Sequence, residues 1–199
     1  MQNKSQAFLV GVIILGILGM MGCEEYIPYA RKYGYPRIDT PAPSKRVYQT
    51  FDLTNCPVRF DYPSIGEVAR TMPDSCWVDV KMTPFNLTWH ITYRKIPSGS
   101  DIDRQREDHR KLVYKHSQKA TRIQEILIEE PQTKGILYEV YGEVGTPVQA
   151  FLYDSTQTQV ALLNIYFQTA EGMDSLAPVI QYMKEELNHT LETFRWEKS

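Results

Sequence analysis

Three short segments between Val58 and Tyr93 switch between apolar and polar at almost every residue, and this constrains the fold more than any other feature of the chain. They are Val58-Arg59-Phe60-Asp61-Tyr62, Trp77-Val78-Asp79-Val80-Lys81-Met82 and Leu87-Thr88-Trp89-His90-Ile91-Thr92-Tyr93. A period of two is the mark of a strand with one buried face, so each needs a partner layer. Three more strands are expected at Gly135 to Tyr141, Val148 to Tyr153 and Gln159 to Phe167, joined by turns short enough for an antiparallel meander. The last is apolar on both faces and reads as a central strand. Between the two sets the spacing predicts a helix from about Asp101 to Ile128, with Ile102, His109, Leu112, Val113, His116, Ala120, Ile123 and Leu127 on one stripe and Pro131 beyond its end. A final helix is expected to open at an Asp174 or Ser175 cap with Pro178 in its first turn, burying Leu176, Val179, Ile180, Met183, Leu187, Leu191 and Phe194. The order βββ-α-βββ-α implies an α+β layered domain with one mostly antiparallel six-stranded sheet and two amphipathic helices.

The N-terminus points to a compartment. Lys4, the apolar run Ala7 to Met21, Gly22 and then Cys23 follow the plan of a bacterial lipoprotein signal. Cleavage before Cys23 leaves an amino group and a thiol to carry lipid; the alternative, an uncleaved anchor helix, has an apolar run short of the roughly 20 residues a span needs. The expected organisation is a signal peptide at 1–22, a lipidated extended tail at 23–50 and a globular domain at 51–199. Prolines at 28, 36, 41 and 43 keep the tail extended, and tyrosines at 26, 29, 33, 35 and 48 make it aromatic. Tyr33, Tyr35, Arg37 and Ile38 are candidate partner-binding residues, because a stiff segment rich in Tyr and Arg loses little entropy on docking. The stretch either lies along the domain or docks on a partner.

With Cys23 carrying lipid, Cys56 and Cys76 remain as a pair in an oxidising compartment, where a disulfide is the natural expectation. Were their strands direct hairpin neighbours, the two strand starts would lie about 20 Å apart, too far for a bridge. The connection from Pro63 to Ser75 is long enough to return the chain to the same end, with Ile65, Val68 and Ala69 spaced for a short helical turn. The alternative is two buried thiols packed as small hydrophobes.

With 22 basic and 24 acidic residues, net charge −2, the chain carries no electrostatic footprint for nucleic acid. His109 and His116 sit about 10.5 Å apart along a helix axis and cannot share one metal ion. His116 is a pocket candidate, which would make the chain a periplasmic enzyme or small-ligand binder instead, with a core-edge histidine as the plainer reading. His90 and His189 have no metal-ligand partner at useful spacing. The acidic residues 101, 103, 107 and 108 suit a helix N-terminus, and Glu185, Glu186 and Glu192 read as a solvated face. No catalytic constellation, metal site or cofactor motif stands out, so no enzyme activity is expected.

Residues 33–39 (Tyr-Gly-Tyr-Pro-Arg-Ile-Asp), Cys56-Pro57, Cys76-Trp77, Tyr114-Lys115-His116 with Lys119-Ala120, residues 135–139, residues 174–178 and residues 192–196 together span nearly the entire mature chain. Through this set, in this order, the sequence resembles the gliding motility lipoprotein GldD family of the Bacteroidetes. The resemblance implies a lipid-anchored envelope protein needed for gliding and associated with the type IX secretion machinery. The expected partners are membrane lipid through Cys23 and other gliding or secretion envelope proteins. The expected place is the outer membrane, periplasmic face. In element order the chain also resembles the PsbP-like α/β sandwich.

Overall fold

The computed structural model describes residues 38–53, 56–72, 76–97, 101–116, 118–169 and 172–197. The chain divides into two compact units, Met1–Pro36 and Arg37–Ser199, and all the described residues belong to the second.

Ten strands form two antiparallel sheets among the described residues. The smaller joins β1 (Tyr48–Asp52), β2 (Val58–Pro63) and β10 (Arg195–Trp196) in the order β1-β2-β10. The larger contains β3 (Glu67–Met72), β4 (Trp77–Met82), β5 (Leu87–Lys95), β6 (Ala120–Glu129), β7 (Thr133–Gly142), β8 (Val148–Asp154) and β9 (Gln159–Phe167). Its order is β3-β4-β5-β9-β8-β7-β6, which makes β9 central, as its two-sided apolar pattern requires. Two helices, α1 (Ile102–His116) and α2 (Ala177–Thr193), cover opposite faces of this sheet.

The main core lies between one face of the large sheet and a layer made of α2 and the small sheet. Val78, Val80, Trp89, Ile91, Leu163 and Ile165 meet Val179, Met183, Leu187 and Phe194 there. Phe51 stacks on Phe60 at 4.8 Å and Phe60 on Phe194 at 5.8 Å, which ties β1, β2 and the end of α2 together. Side chains also bond α2 to the β2 backbone: Thr190 Oγ1 donates to the Asp61 carbonyl (2.7 Å), and the Asp61 N–H donates to Thr193 Oγ1 (3.0 Å). On the opposite face, among the described side chains, α1 buries Ile102, His109 and Val113 against Phe151, Val160, Tyr138 and Val140.

Cys56 and Cys76 are bridged, with Cα atoms 5.1 Å apart. The chain returns to the same end, as the bridge demands, but through a strand. The stretch expected to form a helical turn is β3, antiparallel to β4, while β2 belongs to the other sheet. Gly66, at the entry to β3, has no room for a side chain, since a Cβ there would lie 2.5 Å from Val80 Cγ1. The bridge therefore joins the two sheets.

The helix expected to reach Ile128 stops at His116, and Ala120–Glu129 is the edge strand β6, paired along its length with β7. Ile123, Ile126 and Leu127 have spacings that suit either a helix face or a strand. The β-branched residues and a tight turn decide for the strand: Glu130 and Thr133 exchange backbone bonds around Pro131-Gln132. The single six-stranded sheet becomes seven strands plus three, because β1, β3, β6 and β10 add to the six expected. The folded unit starts before residue 51, with β1 opening at Tyr48. The last helix begins at Ala177 after a 3-10 turn at Met173–Leu176, with Pro178 in its first turn but no side-chain cap bond from Leu176.

Candidate functional site

Strand register lines up six polar side chains across the face that α1 partly covers. Asp79 (β4) pairs with His90 (β5), His90 with Asn164 (β9), Asn164 with Gln149 (β8), Gln149 with Tyr138 (β7) and Tyr138 with Glu125 (β6). Residues paired in register share a face, so the row runs about 24 Å across the sheet at the usual strand spacing. Its first half is open, and its second half passes beneath α1.

In the open half, His90 Nδ1 lies 2.7 Å from Asp79 Oδ1. Asn164 Oδ1 is buried and has no hydrogen-bond partner among the described residues. Gln149 Nε2 donates to Thr146 Oγ1 at 3.4 Å. Two aromatic rings flank the row. Tyr166, two residues along β9 from Asn164, is 38% exposed, and its ring centroid is 6.0 Å from that of His90. Trp77, two residues along β4 from Asp79, is 41% exposed on the other side of the row.

In the covered half, Tyr138 is fully buried, and burial with the nearby Glu125 carboxylate pushes its hydroxyl up to about 12. His109 descends from α1 to ring distances of 5.7 Å from Tyr138 and 5.6 Å from Phe151. Burial, aided by the Arg94 charge, pushes His109 down to about 4. Neither the Tyr138 hydroxyl nor His109 Nε2 has a hydrogen-bond partner among the described residues. The row ends at Glu125, which accepts from Arg110 Nε (2.9 Å) and from the Tyr114 hydroxyl (2.8 Å).

Beside the row, at the C-terminal end of α1, a cleft of about 440 Å³ is lined by Lys115, Gln118, Lys119, Glu143, Val144 and Gly145. Gly145 borders Tyr166 closely, since a Cβ there would sit 3.3 Å from the tyrosine ring. The side chain of His116 lies outside the described residues.

A second cluster holds the segment before β1 onto α2. Arg46 Nη2 lies 2.5 Å from Glu185 Oε2, and its Nε lies 3.2 Å from Glu186 Oε1. Glu186 is 0% exposed, contrary to its reading as part of a solvated face, while Glu185 is partly exposed and Glu192 is exposed. Burial raises the Glu186 carboxyl above its usual range against the pull of Arg46. Arg46 Nε is not aligned for a hydrogen bond, so its contact with Glu186 is electrostatic, and the Tyr48 hydroxyl is a second group that favours the Glu186 charge. The Arg46 guanidinium also sits 5.1 Å over the Tyr182 ring, and Tyr48 stacks on His189 at 3.7 Å. The signal was present in the sequence: Val179, Met183, Glu186 and Thr190 recur at helical spacing, which places Glu186 on the buried stripe.

Of the other residues singled out from sequence, Ile38 is half-buried against the main core and borders a cleft with Ile65, Pro84 and Phe85. Cys23, Tyr33, Tyr35 and Arg37 lie outside the described residues. Asp101 accepts from the Asp103 N–H at 2.9 Å and so caps α1. Among the described residues no three His, Cys, Asp or Glu side chains converge as a metal site.

The sequence model of the gliding motility lipoprotein GldD family matches residues 24–196. The chain belongs to that family. Membership brings a role in gliding motility and a membrane anchor at the cell envelope. No curated protein matches in sequence. Among solved structures, this GldD-family chain is similar to cyanobacterial PsbP (CyanoP) from Synechocystis sp. PCC 6803, at 14% identity and TM-score 0.45, covering 75% of this chain and 92% of that one. It is also similar to the Saccharomyces cerevisiae Ran-binding protein Mog1p, at 11% identity and TM-score 0.49, covering 76% and 96%. Both likenesses are partial, and the α+β layered architecture rests on the strand pairings themselves.

Proposed function

We propose that this protein is an assembly or stabilising component of the gliding apparatus, anchored by lipid on Cys23 at the periplasmic face of the outer membrane. It works by binding another envelope protein of the type IX secretion machinery, and no catalytic step is assigned to it. The observation that supports this reading is the family match, which runs from residue 24 through the tail and the whole domain, so the two are one family unit. Ile38, Arg46 and Tyr48 add weight, because they build the C-terminal part of the tail into the fold instead of leaving it a loose tether. Tyr33, Tyr35 and Arg37 are the residues assigned to the partner.

The test is affinity capture of the lipidated protein from its native envelope. The wild-type chain is expected to retain a type IX component, and the triple change of Tyr33, Tyr35 and Arg37 to Ala to lose it with little change in melting temperature. Deletion of the gene is expected to abolish spreading and reduce adhesin export, and Cys23→Ala to leave an unprocessed precursor without fatty acid. Normal spreading and export in a clean deletion strain refutes the reading. A second reading, a ligand-binding protein, is favoured by the cleft at the end of α1 and by the unpartnered polar atoms along the row.

A further inference from the structure

We infer that the open half of the polar row is a carbohydrate-binding face, one that takes a neutral oligosaccharide laid across β4, β5, β9 and β8. Asp79, His90, Asn164 and Gln149 stand in one line over three strand gaps, a span of about 14 Å that suits a short run of sugar rings. All four are planar groups that donate or accept hydrogen bonds in the plane, the chemistry that matches ring hydroxyls. The line has no lysine or arginine and its single carboxylate is hydrogen-bonded to His90, so it offers nothing to attract a polyanion.

Two further observations point to the same ligand. The Asn164 side chain is partly exposed and its Oδ1, turned inward, has no hydrogen-bond partner among the described residues, so a half-turn of the amide loses no bond at that oxygen and presents the acceptor to a sugar hydroxyl. Tyr166 and Trp77, on opposite sides of the line, present partly exposed rings on which the C–H face of a pyranose stacks. A sugar is apolar on its ring face and polar at its rim, and this surface has the same two parts in the same arrangement. A protein partner fits less well, because the two rings are separated by polar groups and do not make a continuous apolar patch. Gly145 contributes by leaving Tyr166 its place at the edge of the face.

The face is independent of the tail residues assigned above to a protein partner. The experiment uses the full chain in detergent micelles, titrated with cellotetraose, chitotetraose and mannotetraose, with dextran sulfate as the polyanion control. Calorimetry is expected to show saturable binding of at least one neutral tetrasaccharide, and amide resonances of His90, Asn164 and Tyr166 to shift. Tyr166→Ala and Asn164→Ala are each expected to weaken binding about tenfold or more. The exposed ring of Tyr166 makes its variant informative if the Asn164 variant loses stability. Absence of binding by all three neutral sugars overturns the inference, as does binding of dextran sulfate alone or undiminished binding by Tyr166→Ala. Capture of the type IX partner is read separately and is unaffected by any of these outcomes.

Discussion

Removing the Arg46 charge is the sharpest test of how the N-terminal segment is held. Glu186 is fully buried, the Arg46 side chain is only 15% exposed, and their nearest atoms are 3.2 Å apart. Breaking a buried pair by deleting one partner costs about 3–5 kcal/mol, because the other charge stays behind unpaired. Glu186 can relieve part of this by taking up a proton, since burial already raises its carboxyl. Arg46→Met, which keeps most of the apolar stem, is therefore expected to cost about 2–3 kcal/mol at neutral pH. For a folded unit spanning Arg37–Ser199, that is a fall in Tm of about 4–12 °C. Glu186→Gln alone is expected to cost about 1 kcal/mol or less, and the double variant to recover about 2 kcal/mol of the Arg46→Met loss. The pH dependence has a definite sign. A carboxyl raised in the folded state binds its proton more tightly there, so its unfavourable contribution grows as pH rises through the folded value, and Glu186→Gln removes that slope. Urea unfolding of the four proteins at two pH values measures all of this. If the double variant is as unstable as Arg46→Met, the loss comes from the Tyr182 and Glu185 contacts of Arg46, and the buried-charge reasoning is wrong.

Three other outcomes are expected. His109 is held at about 4 against an unfolded value of 6.5, so the unfolded chain binds the extra proton between these pH values, and stability present above 6.5 is lost as pH falls towards 4. The loss is about 3 kcal/mol, and His109→Leu should flatten the acid limb of a stability–pH profile in that window. Breaking the Cys56–Cys76 bridge, with its sequence separation of 20, should cost about 3 kcal/mol in denaturant unfolding of the double Ala variant, and unchanged stability refutes its structural role. Gly135→Ala places a Cβ 2.1 Å from the Phe151 carbonyl oxygen, and the resulting separation of β7 from β8 should cost about 1–3 kcal/mol or more by thermal melting.

The sequence is most legible where a short period meets a full core. Trp77–Met82, Leu87–Lys95 and Gln159–Phe167 stand out because each fills one core face at every second residue. Tyr48–Asp52 is hidden by the prolines before it, and Glu67–Met72 by the mixed spacing of Val68 and Ala69. Ala120–Glu129 is misread because an edge strand exposes most of its residues and keeps only a faint period. The polar row is invisible along the chain, since its members come from six strands and meet only through register. Glu186 was legible from helical spacing, but its neighbour Glu185 and the general rarity of buried carboxylates argue for the surface.

The bridge between the two sheets also sets a mechanical limit. A pull arriving through an anchored N-terminus meets the Arg46 contacts with α2 first and the β1–β2 hydrogen bonds next. If both give way, the chain pays out only as far as Cys56, where a covalent bond passes the load straight into the start of β4. Fully extended, the chain between Ile38 and that stop measures about 60 Å, and the slack released is what remains of this after the span it already covers in the fold. Beyond it the seven-stranded sheet takes the tension with its own strands still paired, so the protein behaves as a short shock absorber in series with a rigid body.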